Sequence, residues 1–157
     1  MSTFEILTWL QDSWLAHAIS KTDHLVGAGL QIIHVMGLVA LLASLVLISL
    51  HLVGLAFKNQ PITDIAKEAT KLVWVGLTLT ALSGTLMFIA TPKLYFYNPA
   101  FQLKMILFFV AVVVQLVLFR KTASQTAPSP TFARASVGIS LAAWFSVAMA
   151  GRMIGFI

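Results

Sequence analysis

Two histidines, His34 and His51, interrupt the apolar run QIIHVMGLVALLASLVLISLHLVG, seventeen residues apart. Lys104 and Arg152 stand in two other apolar runs, QLKMILFFVAVVVQLVLF and LAAWFSVAMAGRMIGF. Ionisable side chains inside such segments cost at least about 2.5 kcal/mol at mid-membrane, so they face a protein interior or reach back to an interface. Counted along their helices, His34, Lys104 and Arg152 fall at a similar depth near one end, His34 about 13 Å in at 1.5 Å per residue. Arginine suits bidentate recognition of carboxylate or phosphate, and neutral imidazole ligates a metal or donates to a carbonyl. The three together point to a basic pocket for something anionic or electron-accepting: haem propionates, a quinone carbonyl or a lipid headgroup. The packing alternative is that Lys104 and Arg152 snorkel from helix ends while His34 bonds a neighbouring backbone carbonyl.

A b-type haem at His34 needs a second axial ligand. The last three apolar segments contain no histidine. The candidates are therefore His17, if the N-terminal segment folds inward, and Met149 or Met153. His34 and His51, the candidate metal ligands, lie about 25 Å apart along one helix axis, so each would serve a separate haem or metal. A copper or zinc site from His17, His24 and His34 lacks a carboxylate or thiolate to complete it, apart from Asp23. No nucleophile–base pair can be drawn, and Ser83 and Ser146 read as packing residues, so an enzyme acting on its own is not expected.

The elements that must position these groups follow from composition. The 157 residues are 59% hydrophobic and 10% charged, with a mean hydropathy of +0.94, well below the roughly 25% charge of a soluble domain. The chain contains no cysteine, which excludes disulfides, thiolate metal sites and covalent haem attachment. Its net charge of +5 is sparse and lies mostly in the segments between apolar runs. That is topology information rather than a nucleic-acid surface. MSTFEILTWLQDSW lacks the basic start of a secretion signal, so no cleavage is expected.

Four segments are long enough for a bilayer core, at 25–57, 72–89, 101–119 and 133–155, since a span takes about 20 helical residues. Lipid offers no partner to a bare backbone, so helices are expected, and short connections favour an up-down arrangement. The expected fold is one all-α transmembrane domain over 1–157: a four-helix up-down bundle preceded by an interfacial amphipathic helix over 4–20. Thr22 or Asp23 is the expected N-cap of the first span. Gly76, Thr80 and Gly84 recur every four residues on the second span, and Ser136, Ser140, Ala143 and Ala150 line the fourth. Such strips favour close helix packing.

Of the ten basic residues, Lys58, Lys67, Lys71, Arg120, Lys121 and Arg134 fall at one end and Lys21, Lys93, Lys104 and Arg152 at the other. Six against four places both termini outside the cytoplasm. Tyr95, Phe96 and Tyr97 then sit at headgroup level in an external hairpin.

The segments IIHVMGLVALLASLVLISLHLVGL, LSGTLMFIATPKLYFYNPAFQLKM and LAAWFSVAMAGRMIGF resemble an uncharacterised family of small bacterial four-helix inner-membrane proteins over nearly the whole chain. That resemblance implies the four-helix fold and no established activity. More remotely, the architecture is similar to copper-resistance membrane proteins of the CopD type and to small b-type cytochromes. The leading expectation is an accessory protein with an outward-facing pocket of His34, Lys104 and Arg152 that binds haem b or a quinone in electron transfer. The alternatives are a structural subunit or anchor of a larger complex, and copper or small-solute transport. Expected partners are the lipid bilayer, a membrane or periplasmic protein and a second copy of the chain, with no nucleic acid.

Overall fold

In the structure, a computed structural model, the backbone is described for residues 2–21, 24–57, 59, 62–123 and 130–156. Within them, the side chains of 21, 24, 62–63, 66, 119–123, 130 and 133 are not described. Every element among the described residues is a helix: α1 (Thr3–Gln11), α2 (Trp14–Lys21), α3 (His24–Leu52), α4 (Ile62–Ala90), α5 (Pro92–Phe96), α6 (Pro99–Ala123) and α7 (Pro130–Met153). Four of these contain apolar stretches long enough to cross a membrane, at Leu25–Leu52, Lys67–Ala90, Pro99–Leu118 and Arg134–Met153. The protein is a multi-pass membrane protein built as a four-helix bundle.

Local chemistry sets the helix ends. Ser2 and Glu5 form a reciprocal capping box at α1. The single interfacial helix expected over 4–20 is instead two. Asp12 closes α1, and Ser13 Oγ accepts the Ala16 N–H at 3.2 Å to open α2, so a polar pair stops one helix and caps the next. The first span stops at Leu52 rather than running to 57. Gly54 adopts φ +76, its N–H bonds His51 O at 2.9 Å and the Leu55 N–H bonds Leu50 O at 2.9 Å. This pattern closes a helix through a left-handed residue, which glycine accepts without strain. Asn98 Oδ1 caps α6 by accepting from Ala100 N at 2.9 Å and Phe101 N at 3.1 Å, with Pro99 pre-set for the first turn.

Packing follows the small residues. At the crossing of α3 and α4, a Cβ on Gly37 would stand 2.6 Å from Thr80 Oγ1 and 2.9 Å from Gly76 O. One on Gly76 would stand 2.6 Å from Gly37 O. Only two glycines let these backbones touch. Leu41, Leu45, Val73, Ala111, Trp144 and Val147 form the core. Gln115 Oε1 accepts from Ser140 Oγ at 2.6 Å and Trp144 Nε1 at 3.3 Å, joining α6 to α7. The helices therefore form two hairpins, α3–α4 and α6–α7, whose backbones approach along α3 and α7. Among the described residues no Cα of α4 comes within 8 Å of one of α6. That seam is bridged by side chains, Phe88 meeting Phe101.

At the end carrying both termini, α1 and α2 lie across α4, α3 and α5. Leu7 and Ala16 are buried there, while Trp9 and Trp14 are 67% and 82% exposed. Indole rings outside a helix that covers a bundle end suit the headgroup region.

Candidate functional site

Four helices bring small or polar residues to one level near the end that carries the termini. His34 descends from α3 and lies against Gly84 of α4, where a Cβ would stand 3.0 Å from the imidazole Cε1. Lys104 comes from α6, one turn and a half inside its Asn98 cap. It rests on Gly151 of α7, where a Cβ would stand 3.4 Å from its Cε and 3.5 Å from its Nζ. The two glycines thus provide the room that the ring and the lysine stem occupy.

The polar contacts run in one direction. Ser83 Oγ donates to Leu79 O at 2.6 Å, so its hydroxyl proton is committed. It therefore accepts from His34 Nδ1 at 3.1 Å. An imidazole protonated on Nδ1 keeps a lone pair on Nε2. Lys104 Nζ stands 3.3 Å from Nε2 and donates to it. Two cations at that separation in a low-dielectric interior repel strongly, so the pair carries a single charge. An ammonium has three N–H donors, and one of them meets His34. Both side chains are half-buried and reachable from the surface.

The structure therefore brings His34 and Lys104 together and leaves Arg152 out. Arg152 is exposed, and its guanidinium lies 4.8 Å from the Phe156 ring centroid. The reason is helical geometry: neighbouring residues are about 100° apart around an axis, and Gly151 is the one that faces Lys104. The expected three-residue pocket is reduced to two groups plus Ser83. Met149 and Met153 are 60% and 44% exposed, and His17 is half-buried on α2. His51 stands in the last turn of α3, with a buried Nδ1 that meets no hydrogen-bond partner, about 25 Å along the axis from His34. Asp23 and the His24 side chain lie outside the described residues. Among the described residues no three of His, Cys, Asp and Glu are grouped to hold a metal.

A haem would require these donors to be arranged differently. An axial histidine needs a free nitrogen and a second ligand across the iron. Both ring nitrogens of His34 are engaged, and the two methionines face outward.

Residues 6–157 match a family of unknown function, DUF6644. The chain belongs to that family. The DUF6644 match covers α2 to α7 and all but the first residues of α1, so the His34–Lys104 level lies wholly within the matched region. No curated protein and no solved structure matches this DUF6644 chain.

Sequence reasoning took Ser83 and Gly84 for packing residues and gave Gly151 no role beside Lys104. Gln115 was overlooked as well. Its signal was present: a lone amide in FFVAVVVQLVLF is itself an intramembrane polar group that requires a partner.

Proposed function

We propose that this protein is an accessory membrane protein that binds a lipophilic carbonyl compound of the quinone class at His34 and Lys104, in the service of electron transfer. The carrying observation is the half-buried Lys104 ammonium, whose contact with His34 Nε2 at 3.3 Å leaves donors for a ligand oxygen. A quinone carbonyl accepts such donors and reaches the site through the bilayer. His34, fixed by Ser83, aims Lys104 and accepts one of its protons. The excess of basic residues near the α3–α4 and α6–α7 connections supports an orientation with those loops cytoplasmic and both termini periplasmic in a bacterial inner membrane.

The test is a titration of decylubiquinone into the purified protein in lipid nanodiscs. Binding that weakens at least about tenfold in Lys104→Met, the loss of a charge-assisted hydrogen bond, supports the reading. Equal affinity in the two proteins contradicts it. A Soret band lost in His34→Ala would instead point to haem.

A second reading, a structural subunit or anchor, is favoured by two open depressions on the outer faces of the bundle. Those run over exposed apolar faces, one along Gln31, Val35 and Met36 of α3 and another along Trp74 and Thr78 of α4. Co-purification of a stoichiometric protein, unaffected by His34→Ala, would support that reading.

A further inference from the structure

The α4–α6 seam is bridged by an aromatic pair one helical turn from the polar site. Phe88 stands one turn beyond Gly84 on α4, and Phe101 stands one turn before Lys104 on α6. Their rings stack with centroids 5.5 Å apart and planes 13° apart. Tyr95 of α5 leans on Phe101 at 5.4 Å and 46°. All three side chains are half-buried. The α3–α4 crossing is a glycine contact, and α6 and α7 join through Gln115, Ser140 and Trp144. Between α4 and α6 the backbones stay apart among the described residues, and one stacked pair spans the gap beside the polar site.

We infer that the Phe88–Phe101 pair is the lateral entrance and ring cradle of the site: a planar ligand ring enters between α4 and α6, replaces the Phe88–Phe101 stack with its own, and presents an oxygen to Lys104. This inference rests on the quinone reading and adds where the ring sits and how it arrives. Three observations support it. The parallel geometry of the two phenyl rings is what a flat ring of similar size inserts into or lies against. The exchange is cheap, because one stacked pair is replaced by another. The distance along α6 is also right. A ring at Phe101 lies about 4.5 Å along the axis from Lys104, three residues at 1.5 Å each, within reach of the lysine stem. Tyr95 and the buried Pro92 close the seam toward the end with the termini, so the remaining approach is sideways from lipid.

The test uses the full chain in nanodiscs of phosphatidylcholine and phosphatidylglycerol, with two probes titrated separately: decylubiquinone, which has a flat ring, and dodecyl phosphate, which is anionic without one. Phe88→Leu and Phe101→Leu keep apolar volume and remove the π face, while Phe101→Tyr keeps the ring. The expected result is a loss of about fivefold or more in quinone affinity for both leucine variants, the scale of one aromatic contact. Dodecyl phosphate binding should be unchanged, and Phe101→Tyr should bind the quinone as the parent does. Lys104→Met weakens both probes. Leucine variants that bind quinone like the parent, or that weaken both probes alike, overturn the entrance while leaving the Lys104 site standing. If Lys104→Met binds both probes like the parent, or the parent binds neither, the site itself fails and the entrance with it.

Discussion

Lys104 is an expensive residue to keep in a membrane, and that expense separates its two readings. Removing one member of a buried charged pair destabilises a protein when a charge is left behind, whereas exchanging a buried cation for an apolar side chain of similar length is often neutral or stabilising. Lys104→Met leaves only a neutral imidazole still bonded to Ser83. Its melting temperature in detergent should therefore equal or exceed the parent's, even as ligand binding falls. A clear drop in melting temperature would make Lys104 structural. Gly37 behaves oppositely. Gly37→Val places atoms where Thr80 Oγ1 and Gly76 O already stand and should cost about 1–3 kcal/mol, the range of overpacked cores. That cost would be read as a lowered melting temperature. At this scale His34 and Lys104 were legible, because an ionisable residue in an apolar run has few bland explanations. Arg152 was misplaced because depth along a helix says nothing of direction around it. Ser83 was missed because a serine that bonds its own helix looks the same in sequence whether or not a second donor reaches it.

The helices were legible to within a few residues where apolar length set them, except that α4 begins at Ile62, ten residues before the expected 72, and they were less legible where a cap set them. The amphipathic stripe through Phe4, Leu7, Leu10 and Trp14 runs smoothly across Asp12 and Ser13, so periodicity alone continued one helix where side-chain caps make two. Asn98 shows the same dependence on single side chains. It caps α6 and also donates from Nδ2 to Ile154 O at 3.4 Å, tying the start of α6 to the end of α7. Asn98→Ala should cost about 1–2 kcal/mol, the upper range for a lost cap, with hydrogen exchange rising first in Phe101 and its neighbours. In the middle of α6, Gln115→Leu strands the Ser140 hydroxyl and the Trp144 indole N–H in the core. A loss of about 1–3 kcal/mol is expected, the penalty for unsatisfied buried donors, measured by thermal unfolding against Ser140→Ala and the double variant.

The whole molecule is two hairpins closed along α3 and α7, with a side-chain seam on the α4–α6 side. Up-down topology was readable from span lengths and short connections. The seam was not, since which pairs of helices approach depends on where glycines meet in three dimensions. The end carrying the termini is fastened by aromatic contacts, including Lys93 Nζ at 4.6 Å from the Phe4 ring centroid and Tyr95 on Phe101. Burial pushes the Tyr95 phenol above its ordinary value of 10.0. A raised phenol pKa means the unfolded chain ionises first. The stabilisation is thus intact below pH 10 and is lost as pH rises through the folded-state value. Melting temperature should fall above pH 10 in the parent and fall less steeply in Tyr95→Phe; identical slopes would remove Tyr95 from the account.

The contact between His34 and Lys104 underlies the site, the proposed ligand and its entrance. Solid-state NMR of protein labelled with 13C and 15N at lysine and histidine, in a lipid bilayer at neutral pH, tests it most directly. The account predicts a lysine Cε to imidazole Cε1 cross-peak that vanishes in both His34→Gln and Lys104→Met, with the same imidazole neutral and protonated on Nδ1. A spectrum without that cross-peak, or one in which His34 is doubly protonated, would contradict it.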